Sequence, residues 1–481
     1  MRTRFVNLRI PAGGNDTRPA ELLVEEGRFL EVLPAGASRP PAGTESLVDL
    51  GGRLALPGVV DGHVHFDDPG FTHRENFETG TRAAAAGGVT TVADMPCTSL
   101  PPVTSRSSLE YKLTVVRPKA LVDFLLWGGV SDNAMEHPRW RARVKELVDA
   151  GVAAFKLYLL SGMDTYRDLT PAQMRQVLRE LARHGVPAGI HAEDREVVLS
   201  LTFAEMAEHR DGPLDYADSR PSEAETFAVR TVRDLCRETG ARVHVVHIAS
   251  GEALGVVAQA REEGLPLSAE TCPHYLAFTR DDLGRLGALL KTAPVVKSAA
   301  DREALWKGLA DGTLQHVATD HAAGQWPEEK SARSIWNVYG GVPGVETLLP
   351  FLLSEGVAKG RLTLERLVEV TASAPARFFG VASRKGAIAP GLDADLAVVD
   401  EKETWTVTRE ALHNLNRYTP FEGHVFTGRV RQTWLRGVRV YSRADDGSEW
   451  FGTPGKGRFV RREARWTLGA EAEPALAEVA R

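Results

Sequence analysis

Gly58-Val59-Val60-Asp61-Gly62-His63-Val64-His65 is a run of strand-forming residues that ends in two histidines spaced i, i+2. In a strand that spacing puts both imidazoles on one face, and at the C-terminal rim of a parallel barrel that face looks into the active site. Four further groups close short apolar runs downstream: Lys156 in AAFKLYLL, His191 in PAGIHAED, His247 in RVHVVHIAS and Asp320 in HVATDHAA. Six metal-competent groups, each at a strand end, are hard to attribute to packing, so the constellation reads as a metal site.

The texture around this stretch sets the fold class. Between about Pro57 and Val381 strand-like runs alternate with Ala/Leu/Arg/Glu-rich helical segments, the pattern of a parallel sheet with crossover helices. Eight strand candidates can be counted there: VVDGHVHF, TTVADMP, VDFLLWGGV, AAFKLYLL, PAGIHAED, RVHVVHIAS, PLSAETCPHY and QHVATDHAA. Eight such units predict an α/β fold, a (β/α)8 barrel over 57–381. Residues 1–56 and 382–455 carry short alternating runs broken by Gly, Pro and Asn, which predict a small β-sandwich built from both chain ends. The tail, 456–481, is charged and Ala-rich and is expected to be a surface helix or arm.

Composition narrows the function classes. The chain has 481 residues, 43% hydrophobic and 25% charged, with a formal charge of -6. That balance gives no electrostatic reason to bind nucleic acid or an anionic membrane. Three scattered cysteines, Cys97, Cys236 and Cys272, suit neither a disulfide framework nor a Cys-rich zinc site. With no apolar run of spanning length and no signal-peptide pattern, a cytoplasmic protein is expected.

Zinc and its neighbours take neutral imidazole nitrogens and carboxylate oxygens, and catalytic sites leave a position open. Lys156 is the anomaly, because an ammonium repels metal ions while a lysine at a buried strand end should titrate low. Addition of carbon dioxide to the neutral amine would solve this: the resulting N6-carboxylysine has two oxygens, enough to bridge two divalent ions about 3.5–4 Å apart.

The motifs PGVVDGHVHFDDPG, ETGTRAAAAGGVTTVADMP, FKLYL, IHAED, ETCPHY and ATDHAA together resemble the amidohydrolase superfamily, in its cyclic-amidase branch of dihydroorotases, hydantoinases, dihydropyrimidinases and allantoinases. The resemblance covers nearly the whole chain in the usual order. It implies two divalent metal ions, zinc foremost, with His63 and His65 on the first, His191 and His247 on the second, carboxylated Lys156 between them and Asp320 on the first. It also implies hydrolysis of a cyclic amide, with Asp320 as the catalytic proton carrier, and a homo-oligomer, tetramer or dimer.

Departures from each subfamily point to the substrate. Dihydroorotases resemble one another in an Arg two residues after the second His and an Asn after the Met-Pro of strand two; here those positions hold Asp67 and Cys97. Hydantoinases carry a Tyr five residues beyond the bridging Lys, where this chain has Ser161. DYADSRPSEAE, VYGGVPGVE and NRYTPFEGH resemble the allantoinases, so an allantoin-type cyclic ureide is expected, with Ser161 and the backbone near Thr292 and Gly341 as substrate contacts. KTAPVVK and ATDHAAGQWPEEK depart from the allantoinase pattern beside the pocket. The alternatives are a hydantoinase, a dihydropyrimidinase or a dihydroorotase, and, from a different class, a scaffold protein freed from catalysis. A scaffold would have no reason to keep all six groups.

Other polar residues carry less. His244, three positions before His247, is expected on the opposite strand face as a packed histidine. His274 and His321 could orient ligands, His73 and Arg74 could reach substrate from the loop after strand one, and Cys272 lacks a base partner for thiol chemistry.

Overall fold

The computed structural model describes residues 2–37 and 45–463. All eight expected barrel segments fall on strands: β5 (Val59–Val64), β6 (Val89–Asp94), β7 (Asp123–Leu126) with β8 (Gly128–Gly129), β9 (Phe155–Tyr158), β10 (Ala188–His191), β11 (Val243–Val245), β12 (Leu267–Thr271) and β13 (His316–Val317). Every pairing among them is parallel. Their residues are almost continuously buried, as strands covered on both faces require.

The hydrogen bonding departs from the expected closed ladder. It forms a three-stranded sheet, β5-β6-β7, and a six-stranded sheet, β13-β12-β11-β10-β9-β8. At one seam the two sheets share the segment 123–129: β8 continues to β9, with Gly128 N–H donating to Ala154 O at 2.9 Å, while the free edge of β7 takes the chain end, Phe124 donating to Arg458 O and receiving from Val460 N–H. Those residues belong to the tail expected to be a surface arm, so the start of that tail is built into the fold; 464–481 lie outside the described residues. At the other seam a single bridge joins Val64 to His321, with His65 N–H donating to His321 O at 2.8 Å.

The chain ends pair as expected, but in one ladder where two facing ones were expected. Strands β1 (Arg2–Pro11), β2 (Thr17–Glu25), β3 (Arg28–Pro34) and β4 (Glu45–Pro57) join β14 (Leu396–Thr406), β15 (Val425–Leu435), β16 (Val438–Arg443) and β17 (Glu449–Phe451) in a single mixed sheet. The joint is the antiparallel pairing of β4 with β14, Leu396 opposite Pro57. Phe5, Leu22, Phe29, Leu396 and Trp434 form its own core. Because β4 runs through Pro57 almost directly into β5, this sheet anchors the strand that carries His63.

Local chemistry fixes the crossover helices. Pro171–His184, for example, starts with Thr170 and Gln173 capping each other, has proline in its first turn, and stops at Gly185 with φ 62°. Its Met174, Val177, Leu178 and Leu181 are buried. Inside the barrel, Lys156, Gly189, His244 and Ser268 lie level across β9 to β12. Gly189 is required there, since a Cβ would come within 2.6 Å of the Trp127 ring.

Candidate metal centre

The strand ends bring all six sequence-singled groups to one cavity of about 450 Å³. Asp320 Oδ1 lies 3.1 Å from both His63 Nε2 and His65 Nε2, and His191 Nδ1 lies 3.1 Å from His247 Nε2. The two pairs meet through the His63 and His247 rings, 5.4 Å apart. Lys156, fully buried, points its Nζ at no hydrogen-bond partner among the described residues. His63 Nε2 and His247 Nδ1 are likewise buried without a hydrogen bond. An unsatisfied buried polar atom costs about 1–3 kcal/mol, so several such atoms around one cavity mark a place for a ligand.

Backbone geometry supports the same reading. His247 and Asp320 have φ of 44° and 48°, and Asp67 has 56°, a left-handed conformation uncommon for side chains with a Cβ. Such strain collects at functional sites.

Electrostatics prepares most of the donors. Burial lowers the Lys156 pKa, which favours the neutral amine. Burial, Lys156 and His191 together drive His247 well below its usual value, and burial also lowers His191. Burial opposes the ionisation of Asp320, but His63 and His65 outweigh it and hold the carboxyl well below the usual range. His65 is the exception: against burial, Asp320 and Cys97 raise it to about 10. A cation displacing that proton would meet the same anionic partner.

Three of the four histidines are oriented from behind by residues the sequence did not single out. Glu270 accepts from His63 Nδ1 at 2.7 Å, Glu193 from His191 Nε2 at 2.9 Å, and Thr98 Oγ1 lies 3.2 Å from His65 Nδ1. A carboxylate behind a ligating imidazole fixes its tautomer and raises its basicity. Glu193 is itself held by Arg220 at 2.6 Å, which with His191 outweighs burial and brings its pKa to about 2. Glu270 stands in ETCPHY and Glu193 in IHAED, each an ionisable residue inside or beside an apolar strand; that was the available signal. A larger surface cavity, about 720 Å³, reaches Glu193 from outside and touches none of the six.

The other expectations divide. Ser161, Thr292 and Gly341 all line the cavity. The Ser161 hydroxyl, however, donates to Tyr166 O at 2.7 Å and receives from Met163 N–H at 3.1 Å, so it shapes a turn. Asp67 is buried beside the cavity without lining it, and burial pushes its carboxyl well above the usual range. Neither His73 nor Arg74 lines the cavity; Arg74 pairs with Glu329 and covers Tyr339. His321 turns to Glu75 and to the N–H groups of Gly344 and Val345. Cys272 is buried with its pKa pushed well up, which suits an inert thiol. His244 is packed as expected, yet its Nε2 reaches Glu270 at 3.2 Å; the positive φ of His247 breaks the strand alternation behind the opposite-face expectation.

With this geometry in place, residues 54–440 match the model of the Amidohydrolase family. The chain belongs to that family. It is 40% identical over 451 residues to an allantoinase of Streptomyces avermitilis, covering 93% of this chain and 96% of the relative. It is 37% identical over 445 residues to an allantoinase of Deinococcus radiodurans, covering 92% and 95%. Among solved structures it is similar to the L-hydantoinase (dihydropyrimidinase) from Arthrobacter aurescens, with a TM-score of 0.89, 31% identity and coverage of 96% and 99%.

The donor set could hold metal. His63, His65 and Asp320 place three ligand atoms within 4.8 Å of one another, and His191 with His247 offers a second pair. Imidazole and carboxylate in this ratio suit zinc, manganese, cobalt or iron.

Proposed function

We propose that this amidohydrolase opens the ring of allantoin to give allantoate. The observation that carries the reading is the convergence of four imidazoles, Lys156 and Asp320 on one cavity in a chain similar over most of its length to allantoinases. In this reading His63, His65 and Asp320 would hold one ion, His191 and His247 would hold a second, and carboxylated Lys156 would serve both, with zinc as the resident metal. Bound divalent ions would supply Lewis acidity and lower the pKa of water. The frame is a (β/α)8 barrel, 57–381, flanked by the mixed sheet that both chain ends build.

The chain's own groups then do the following. Asp320, anionic and the most accessible of the six at 15% side-chain exposure, takes a proton from the attacking water and returns it to the ring nitrogen that leaves. Glu270 and Glu193 hold the imidazoles in one tautomer. Ring amides meet the wall of Thr292, Ala293, Gly340 and Gly341, where the N–H groups of Thr292 and Gly340 make no hydrogen bond among the described residues. Allantoin, a hydantoin ring with a ureido arm, offers the donors and acceptors such a wall needs. The second reading, a hydantoinase, is favoured by the solved structures this chain is similar to.

A cytoplasmic homo-oligomer, dimer or tetramer, completes the proposal. It is supported by the helix Arg195–Ala207, which buries only Val198 and exposes Phe203 and Met206. No helix among the described residues is long and apolar enough to cross a membrane.

The test is ring opening of allantoin, hydantoin, a 5-alkyl hydantoin, dihydrouracil and dihydroorotate by metal-loaded protein. Allantoin should have the highest kcat/KM, because polar groups that bind the ureido arm are left unpaired by an analogue lacking it. A higher value for dihydroorotate or the 5-alkyl hydantoin overturns the substrate, and inactivity on all five overturns the class.

A further inference from the structure

The cavity wall opposite the strand ends comes from two stretches, 291–293 and 336–341, that themselves contain almost no regular structure. One follows β12 and supplies Lys291, Thr292 and Ala293; the other follows β13 and supplies Trp336, Val338, Tyr339, Gly340 and Gly341. Short 3-10 turns at Gly287–Leu290 and Ile335–Asn337 are the regular elements nearest the wall. Apart from these turns and the bridge of Val342 to His321, no ladder or helix bond among the described residues sets its position.

Two buried lysines do so instead. Lys330 Nζ donates to three main-chain carbonyls, Ala288 at 3.0 Å, Tyr339 at 2.9 Å and Gly341 at 2.7 Å. Lys291 Nζ donates to Ile335 O at 2.7 Å and Val338 O at 2.6 Å. Among the described residues neither ammonium pairs with a carboxylate, although Glu329 adjoins Lys330; Glu329 is taken by Arg74. The faces of Tyr418 and Tyr216 lie 5.4 Å from Lys330 Nζ and 4.8 Å from Lys291 Nζ.

The stitched wall meets at Gly341. Its N–H donates to Lys291 O at 2.8 Å and its C=O receives from Lys330. With φ 145°, a Cβ there would lie 2.4 Å from Ala322 O, so the backbone itself forms the cavity surface. An ammonium has three donors and no acceptor, which matches three carbonyls one to one; no neutral side chain of that length does so. Burial lowers the pKa of Lys330 to about 7 and that of Lys291 to about 8, while charge-assisted bonds are the stronger kind and buried carbonyls left unpaired are costly, so the carbonyls favour the ammonium.

We propose that Lys330, seconded by Lys291, is a positioning residue that sets the substrate-facing backbone of the pocket. It touches neither the metal-competent cluster nor the reacting atoms, so its contribution is to substrate binding through the place of Tyr339, Gly340 and Gly341. This rests on the cyclic-amide reading only for the choice of substrate.

The test compares Lys330→Met, which keeps the stem and removes the donors, with Lys330→Arg. Lys330→Met should keep wild-type metal content and kcat within about threefold while KM rises about tenfold or more, the loss of about 1.4 kcal/mol of binding. Amide hydrogen exchange over 335–341 should quicken, and Lys330→Arg should return KM part of the way. Unchanged KM together with unchanged exchange overturns the proposal, as does a loss confined to kcat. If Lys330→Met does not fold, amide exchange over 335–341 in Lys291→Met, which removes two of the five bonds, decides: unchanged exchange overturns the proposal. Wild-type protein inactive on every cyclic ureide would sink the functional reading alone, because the exchange measurement needs no substrate.

Discussion

Glu270 Oε1 sits 2.7 Å from His63 Nδ1 while its other oxygen sits 3.2 Å from His244 Nε2. One buried carboxylate thus accepts from two imidazoles, and with burial opposing them, His244 and His63 hold its pKa well below the usual range. Its position fixes His63 as the Nδ1–H tautomer, which leaves Nε2 free to face Asp320 and a metal ion.

Glu270→Gln should therefore weaken metal binding more than it disturbs the fold. An amide presents an N–H where one of the two imidazoles also presents one, so one contact is lost or His63 turns to the wrong tautomer. Loss of such an orienting partner typically lowers metal affinity about 10–100-fold. Chelator competition on the variant checks this; wild-type affinity would show that His63 is held without Glu270.

Asp320→Asn should lower kcat about a hundredfold or more, the size of a general acid–base contribution. The amide keeps the shape that meets His63 and His65 at 3.1 Å but cannot carry the proton. An unchanged rate at saturating substrate would leave Asp320 a purely structural carboxylate.

Lys156→Ala should strip most of the bound metal, because in the proposed reading it removes the group that would join the two histidine pairs. Elemental analysis of freshly purified protein reads the outcome. Retention of both ions with full activity would show that Lys156 does not bridge them.

How much of this was legible in the sequence follows from what each residue needs around it. His63, His65, His191, His247 and Asp320 could be read because unusual residue types close short apolar runs, and strand geometry then sends them one way. Strand alternation failed at His244 because the chain leaves strand geometry at His247, with φ 44°. Ser161 was placed on the cavity by counting from Lys156, but the count cannot reveal that its hydroxyl closes a turn with Tyr166 and Met163. Lys330 and Lys291 left no signal at all, since a lysine bonded to carbonyls reads like any surface lysine. The occupied edge of β7 was hidden for a related reason: the residues that take it, 458–460, lie over 330 positions away in a segment with no strand pattern.

His413 gives a pH dependence of stability. Burial lowers its pKa, but Glu346 at 2.8 Å and Glu449 at 3.1 Å outweigh burial and raise it to about 9. A pKa above the unfolded value near 6.5 means stabilisation that is complete below that value and lost as pH rises through about 9. Glu449, brought down to about 2 by His413 and Tyr441 against burial, adds stability above the unfolded carboxyl range that is lost as pH falls through about 2. The Tm deficit of His413→Gln should be largest near pH 5–6 and shrink above about pH 9. A deficit that is flat across this range would show that the ion pairs contribute nothing.

Lys385 supplies the sharpest stability test, because it sits in a cage of three buried carboxylates that ties the barrel to the terminal sheet. Its Nζ lies 2.7 Å from Asp123 at the start of β7, 3.0 Å from Asp393 and 2.6 Å from Asp395 just before β14. Asp123 also meets Arg436, and Asp393 meets Arg384 at 2.8 Å. Lys385 carries no chemistry in the proposed mechanism, and its side chain is only 1% exposed. Lys385→Met would leave the carboxylates with arginines on two of them, and Asp395, whose pKa burial already raises, would lose its main cationic partner. Breaking a buried pair by removing one member typically costs about 3–5 kcal/mol. Denaturant unfolding should register a loss of that order, with the metal content of the folded fraction unchanged. Replacing Lys385 and Asp395 together, Lys385→Met with Asp395→Leu, should recover part of the loss, because the penalty comes from the uncompensated charge and not from a missing contact. Equal destabilisation in the single and double variants would contradict that account.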